Sequence, residues 1–195
     1  MSAPLIILAI TFAIQLLIPK APARQGLFGI LVFSLAIAAI FGTAAYQSWN
    51  QYLVWQNNDL GKLFLPPYQS WDYFVFYART RFFNSYFLSL LIGLVLLWTA
   101  KKMNQKYGER FFERVEPYLM ATAIFVVGHP AWLFYLMVVL SVFLIINFSF
   151  STFHFWLNKE MPRISLYYLW LPAAILVIII SGWLSRLPWW QTLKF

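Results

Sequence analysis

The sequence predicts an all-α, polytopic integral membrane bundle of about six transmembrane helices, built as one membrane domain over residues 1–195. Three observations predict it. Hydrophobic residues make up 62% of the chain and charged residues 10%, where soluble domains hold roughly 45–50% and about 25%. Mean hydropathy is +0.70, and so few charges cannot cover a surface in water. The charge-free runs approach or exceed the roughly 20 residues that cross about 30 Å of hydrocarbon at 1.5 Å per residue. Between the runs stand Pro, Gly and clusters of Lys and Arg, the residues that end helices or settle at headgroup level.

The first span is residues 5–19, stopped by Lys20. It has neither the basic start nor the A-x-A cleavage site of a signal peptide, so it is read as a retained helix. Pro19, Pro22 and Arg24 make a turn, and the second span follows over 27–46. Its small residues Ala36, Ala38, Ala39, Gly42, Ala44 and Ala45 suit close approach of a neighbouring helix. The third span, 84–100, stops at Lys101 and Lys102.

From Pro117 to Asn158 the chain runs 42 residues without a charge. One straight helix of that length would measure about 63 Å, twice the hydrocarbon thickness. Gly128-His129-Pro130 supplies the break: Gly suits the close of one helix and Pro the first turn of the next. Spans four and five are therefore placed at 112–127 and 131–150, with five spans plus a re-entrant segment as the alternative. The sixth span, 166–184, follows Pro162, contains Pro172, and leads to a tail bearing Trp189 and Trp190.

Six spans put nine Lys and Arg on one side and five on the other. The richer side is expected to be cytoplasmic, which places both termini outside a cytoplasmic (inner) membrane. The five-span alternative gives the same count. This distribution also accounts for the net charge of +8, so no nucleic-acid partner is inferred. The chain has no Cys, which excludes disulfides, thiolate nucleophiles and Cys-ligated metals.

Two segments lie outside the spans. Residues 47–83 form an outer loop dominated by Trp49, Tyr52, Trp55, Phe64, Tyr68, Trp71, Tyr73, Phe74, Phe76 and Tyr77. That aromatic density argues against disorder and predicts short helices in the interface plane, bent at Pro66-Pro67. Residues 101–116 form a basic cytoplasmic linker, in which Arg110/Arg114 and Glu109/Glu113 would each share a helical stripe.

Candidate chemistry is sparse. His129, beside irregular backbone at a membrane boundary, is a candidate general base or proton site, or alternatively a turn residue bonding free carbonyls. Haem or chlorophyll could be held by His129 or by His154, which otherwise reads as an interfacial anchor. The two histidines are 25 residues apart, about 37 Å along a helix, so they cannot share a metal from adjacent turns, and no metal site is expected. Glu116, next to Pro117, is the second catalytic candidate, against the alternative of a carboxylate stabilised at a helix N-terminus. Arg79, Arg81, Tyr77 and Asn84 lead into span three from outside and could bind a lipid head group, since guanidinium pairs bidentately with phosphate; alternatively, the arginines mark the interface. Nothing matches a phosphate-binding glycine loop, a nucleophile elbow or a zinc-protease helix.

Spans two, three and six carry no Asp, Glu, Lys, Arg or His, whereas transport pathways usually display polar or charged groups. The expected function is a structural or accessory subunit of a membrane complex, with lipids and other membrane subunits as partners. The alternative is a small transferase or hydrolase acting on a lipid or lipid-linked substrate at the outer interface; a transporter, channel or pigment-binding protein comes third. Because the chain is cysteine-free, its topology can be read by single-cysteine labelling in intact cells. A cysteine at Gln105 should react only from the cytoplasmic side and one at Asn57 only from outside; reaction of both from one face would overturn the arrangement.

Overall fold

The computed structural model describes residues 3–17, 22–108, 111–157 and 165–193, and every regular element among them is helical. The helices are α1 (Ala3–Leu17), α2 (Pro22–Gln56), α3 (Trp71–Ala78), α4 (Asn84–Lys106), α5 (Glu116–Val127), α6 (Ala131–Leu157), α7 (Trp170–Leu184) and α8 (Pro188–Thr192). A π turn, Arg79–Phe83, joins α3 to α4, so Trp71–Lys106 is one helical rod of 36 residues. Three stretches are long and apolar enough to cross a membrane: Gly26–Gln56, Trp71–Lys106 and Ala131–Thr152. Helices α1, α5 and α7 are apolar but shorter.

Contacts between helix ends fix the direction of each helix. At one end of the bundle, Lys101 of α4 donates to the Tyr118 hydroxyl of α5 at 2.7 Å. Gly29 of α2 faces the Tyr118 ring at this end, and Gln15 of α1 donates to the Tyr167 carbonyl just before α7. Phe112 and Trp170 pack there with ring centroids 6.5 Å apart. At the opposite end, Phe41 of α2 meets Phe83, Phe87 and Phe125. Ser85 of α4 bonds His129, and Phe134 of α6 stacks on Trp190 of α8. Helices α1, α2, α4, α5, α6 and α7 therefore alternate in direction, up and down between a basic end and a hairpin end.

Helix α5 is the centre. Ten of its residues, from Glu116 to Val126, are buried, and α1, α2, α4, α6 and α7 all pack on it. A helix apolar all round belongs in a core, and α5 fits that rule. Close approach is made possible by small residues. The buried face of α4 is Ser89, Gly93, Ala100 and Asn104, spaced as one helical stripe. A Cβ on Gly93 would sit 3.1 Å from the Ala121 carbonyl oxygen, and one on Gly29 would meet Tyr118 Cβ at 2.9 Å. On α2, Phe33, Ala36, Ile40 and Ala44 are buried, whereas Ala38, Ala39, Gly42 and Ala45 are exposed. Of the six small residues singled out in that span, two, Ala36 and Ala44, thus serve packing within the chain.

Two connections differ from expectation. The outer segment 47–83 is not a loop carrying separate interfacial helices, because α2 runs unbroken to Gln56 and the next helical rod begins at Trp71. Only residues 57–70 turn, around a short 3-10 helix at Gly61–Phe64. The physical reason is side-chain stacking, described below, which keeps the two rods helical beyond the apolar stretch. In the linker, α4 continues to Lys106, and the chain then turns at Gly108 with φ +63°. Residues 111–115 are not helical; Glu109 and Arg110, the expected stripe partners of Glu113 and Arg114, lie outside the described residues.

Gly93→Val should lower the thermal unfolding midpoint in mild detergent, with a cost of about 1–3 kcal/mol for overpacking the α4–α5 contact. Gly182→Val, where a Cβ meets nothing within 4 Å, should change it little. Equal midpoints for the two variants would remove Gly93 from the packing account.

Candidate functional site

The hairpin end of α4 begins the site. Thr80 Oγ1 donates back to the Phe76 and Tyr77 carbonyls at 2.9 and 3.0 Å, within the widened π turn that leads into Asn84. One turn later, Ser85 is clasped to the α5–α6 break from both sides. Its Oγ donates to the His129 carbonyl at 2.6 Å, and its own carbonyl accepts the His129 N–H at 3.3 Å. A helix break leaves backbone groups without intrahelical partners, and these bonds satisfy two of them. Gly128 closes α5 at φ 75°, ψ 169°, a conformation costly for any residue with a Cβ.

The His129 ring has two partners. Trp132 Nε1–H donates to Nδ1 at 3.1 Å, and Nε2 lies 2.7 Å from the Leu193 carbonyl oxygen. A carbonyl only accepts, so these partners assign the proton to Nε2 and leave the Nδ1 lone pair facing Trp132. Ligating a haem or chlorophyll through either nitrogen would break one of these bonds, as would use of the ring as a base. The geometry is that of a fastener, holding α6 and the C-terminal turn to the break.

Glu116 lies at the other end of α5, about 20 Å from His129 by helix rise. It is 1% exposed. Its Oε2 accepts the Glu113 N–H at 2.9 Å and its Oε1 accepts the Ser165 hydroxyl at 3.0 Å. The carboxylate thus closes the turn that precedes α5, sits at the helix N-terminus where the dipole favours it, and ties that turn to the segment entering α7. The two catalytic candidates are not brought together. Among the described residues no three His, Asp or Glu side chains gather as metal ligands. The side chain of His154 lies outside the described residues.

A cavity of about 530 Å³ opens along the start of α4, lined by Thr80, Arg81, Asn84, Ser85, Phe87, Leu88, Leu91 and His129. It unites three of the residues singled out from sequence, Arg81, Asn84 and His129. Arg79 and Tyr77 are not in its lining. Tyr77 instead packs on Trp55 with ring centroids 4.7 Å apart.

That contact belongs to the aromatic hairpin made by the end of α2 and by α3. Trp55 also meets Phe64, Tyr73 and Phe74, and Tyr52 meets Trp49, Trp71 and Phe74. At the tip, Asn58 Oδ1 accepts the Leu60 and Gly61 N–H groups, and a Cβ on Gly61 would fall 2.8 Å from the Trp55 backbone. The outer faces of two of these rings remain open, Trp49 at 59% and Trp71 at 53% exposure, and Phe76 of α3 is 66% exposed.

Sequence reasoning missed Gln15 and Asn104. Gln15 is fully buried and reaches the Tyr167 carbonyl at 2.6 Å; its signal was being the single amide in the first apolar run. Asn104 closes the basic turn reciprocally, donating to the Phe112 carbonyl at 2.6 Å and accepting its N–H at 2.9 Å. Its signal was the spacing that aligns it with Ser89, Gly93 and Ala100.

Comparison with known protein families, curated proteins and solved structures finds no match to this chain.

Gly128→Ala forces a Cβ into positive-φ backbone and to 3.2 Å from Ser85 Oγ. It should destabilise the fold by about 1–3 kcal/mol and increase proteolysis of the C-terminal segment held by His129. An unchanged unfolding midpoint together with unchanged proteolysis would show that the break does not depend on this backbone conformation.

Proposed function

We propose that the chain is a structural or accessory subunit of a complex in the cytoplasmic membrane, crossing it six times with both termini and the aromatic hairpin outside. The observation that carries the reading is the open aromatic face of that hairpin. Arg81 and Lys101 stand 20 residues apart on one rod, about 30 Å by rise, which matches the hydrocarbon thickness. On that register Trp71–Arg79 and the last turns of α2 project past the apolar layer. Exposed rings in such numbers need burial, each offering about 150–250 Å². Rigid stacking on their inner faces presents the outer faces as one surface to a partner subunit.

Three features support this reading. The exposed Ala38, Gly42 and Ala45 lie on one face of α2, where small residues suit close packing of a partner's helix. Glu116 and His129 are both engaged in fastening helix ends, which favours a structural over a catalytic role. For the six crossings, the support is that α5 runs antiparallel to α4, with the Tyr118 side chain reaching Lys101 at one end and His129 clasped by Ser85 at the other. A re-entrant α5 would leave the Ser85–His129 clasp at half depth.

The alternative, an enzyme acting on a lipid or lipid-linked substrate, draws on the cavity that joins Arg81, Asn84 and His129. The two readings separate on one measurement, native mass spectrometry from gentle detergent. The subunit reading expects other polypeptides at fixed stoichiometry, lost when Trp71 and Phe76 are both changed to Ala while the chain stays folded. A lone 22.9 kDa chain carrying only lipid, and unchanged by those substitutions, would overturn it.

A further inference from the structure

The cavity beside α4 has a graded lining that the subunit reading does not use. Thr80, Arg81, Asn84, Ser85 and His129 occupy its hairpin end, and Phe87, Leu88 and Leu91 continue it along the apolar rod. From Arg81 to Leu91 the helix rises about 15 Å, from headgroup level to the depth of acyl chains. At the polar end the hydroxyls are already committed: Thr80 to its own helix and Ser85 to the His129 carbonyl. The Arg81 guanidinium and the Asn84 amide are not. Neither has a hydrogen bond to another described residue, and no described carboxylate lies within ion-pair distance of Arg81. Two uncommitted donors three residues apart face one opening, above a strip of apolar side chains.

We propose that this cavity binds an anionic phospholipid of the bilayer. The phosphodiester sits against Arg81 and Asn84, and one acyl chain runs over Phe87, Leu88 and Leu91. Guanidinium pairs with two phosphate oxygens at once, and the pairing is charge-assisted. The Asn84 amide adds a third donor to the same group. The volume of about 530 Å³ falls within the range of small-molecule sites and takes a head group with the upper part of one chain. The assignment separates Arg81 from Arg79, which does not line the cavity and serves as an interface anchor.

The test uses the full-length chain purified in mild detergent and exchanged into nanodiscs of phosphatidylcholine, with phosphatidylglycerol added at increasing fractions. Wild-type protein should enrich phosphatidylglycerol over phosphatidylcholine in native mass spectra and gain thermal stability as its fraction rises. Arg81→Gln combined with Asn84→Leu should weaken that enrichment roughly tenfold, as expected for removal of charge-assisted bonds, with the midpoint in pure phosphatidylcholine unchanged. Arg79→Gln should leave it as in wild type. Leu88→Trp, which fills the apolar strip and keeps both donors, should weaken it as well. Inorganic phosphate at millimolar concentration should not compete, because it lacks the acyl chain. No preference for phosphatidylglycerol in the wild type would overturn the proposal whatever the variants do. Full competition by inorganic phosphate, or equal losses in the Arg79 and Arg81 variants, would overturn it too.

Discussion

A twelve-residue helix enclosed by five others draws the hydrogen-bond partners at its ends from distant segments of the same chain. This constraint on α5 organises the rest of the bundle. At its start the Glu116 carboxylate closes the preceding turn by accepting the Glu113 N–H, and its other oxygen accepts from Ser165. Its last residue is followed by Gly128 and His129, whose backbone is clasped by Ser85. Each closure recruits a distant segment: the entry to α7 at one end, and α4 with the C-terminal turn at the other. Solving the hydrogen-bonding problem of one short helix therefore fixes the relative positions of α4, α6 and α7. Unsatisfied buried groups each cost about 1–3 kcal/mol, which makes these few contacts weigh more than their number suggests.

Between its ends, α5 depends on shape. The small residues facing it, Gly29, Ala36, Ser89 and Gly93, bring backbones close enough for dispersion to act over many atoms. Ser89 and Thr122 are buried without cost because each hydroxyl bonds a carbonyl of its own helix, and Ser89 also reaches the Phe125 carbonyl. Polar side chains in this core thus serve backbone oxygens nearby, in keeping with a medium that offers no competing water.

The helical class was legible in the sequence because charges fence apolar runs, and the break at Gly128-His129-Pro130 because Gly and Pro have fixed backbone meanings. The apolar period could not show that α5 is the central helix: a helix apolar on all sides reads alike whether protein or lipid surrounds it. The outer segment was misread for a related reason. Tyr52, Trp55, Phe74 and Tyr77 signal burial at an interface, but their partners are one another, and that pairing of α2 with α3 is a tertiary fact. At the site, Arg81, Asn84 and His129 were legible as chemistry. Their grouping apart from Tyr77 and Arg79 was not, since it depends on which rotation of the rod faces the break. Gln15 and Asn104 drew no notice in the sequence because their value lies in carbonyls 152 and 8 residues away.

The enclosure of α5 also bears on how the chain enters a bilayer. Twelve residues, beginning with a carboxylate, gain far less from hydrocarbon than a run of about 20 apolar residues. Helix α4 is long and apolar, and its stripe of Ser89, Gly93 and Ala100 matches α5 directly. If the chain enters a bilayer helix by helix, pairing with α4 would give α5 the apolar contact that its own length does not win from lipid. On this view the stripe on α4 is a biogenesis signal as well as a packing surface, and the order in which helices emerge is written into side-chain volume.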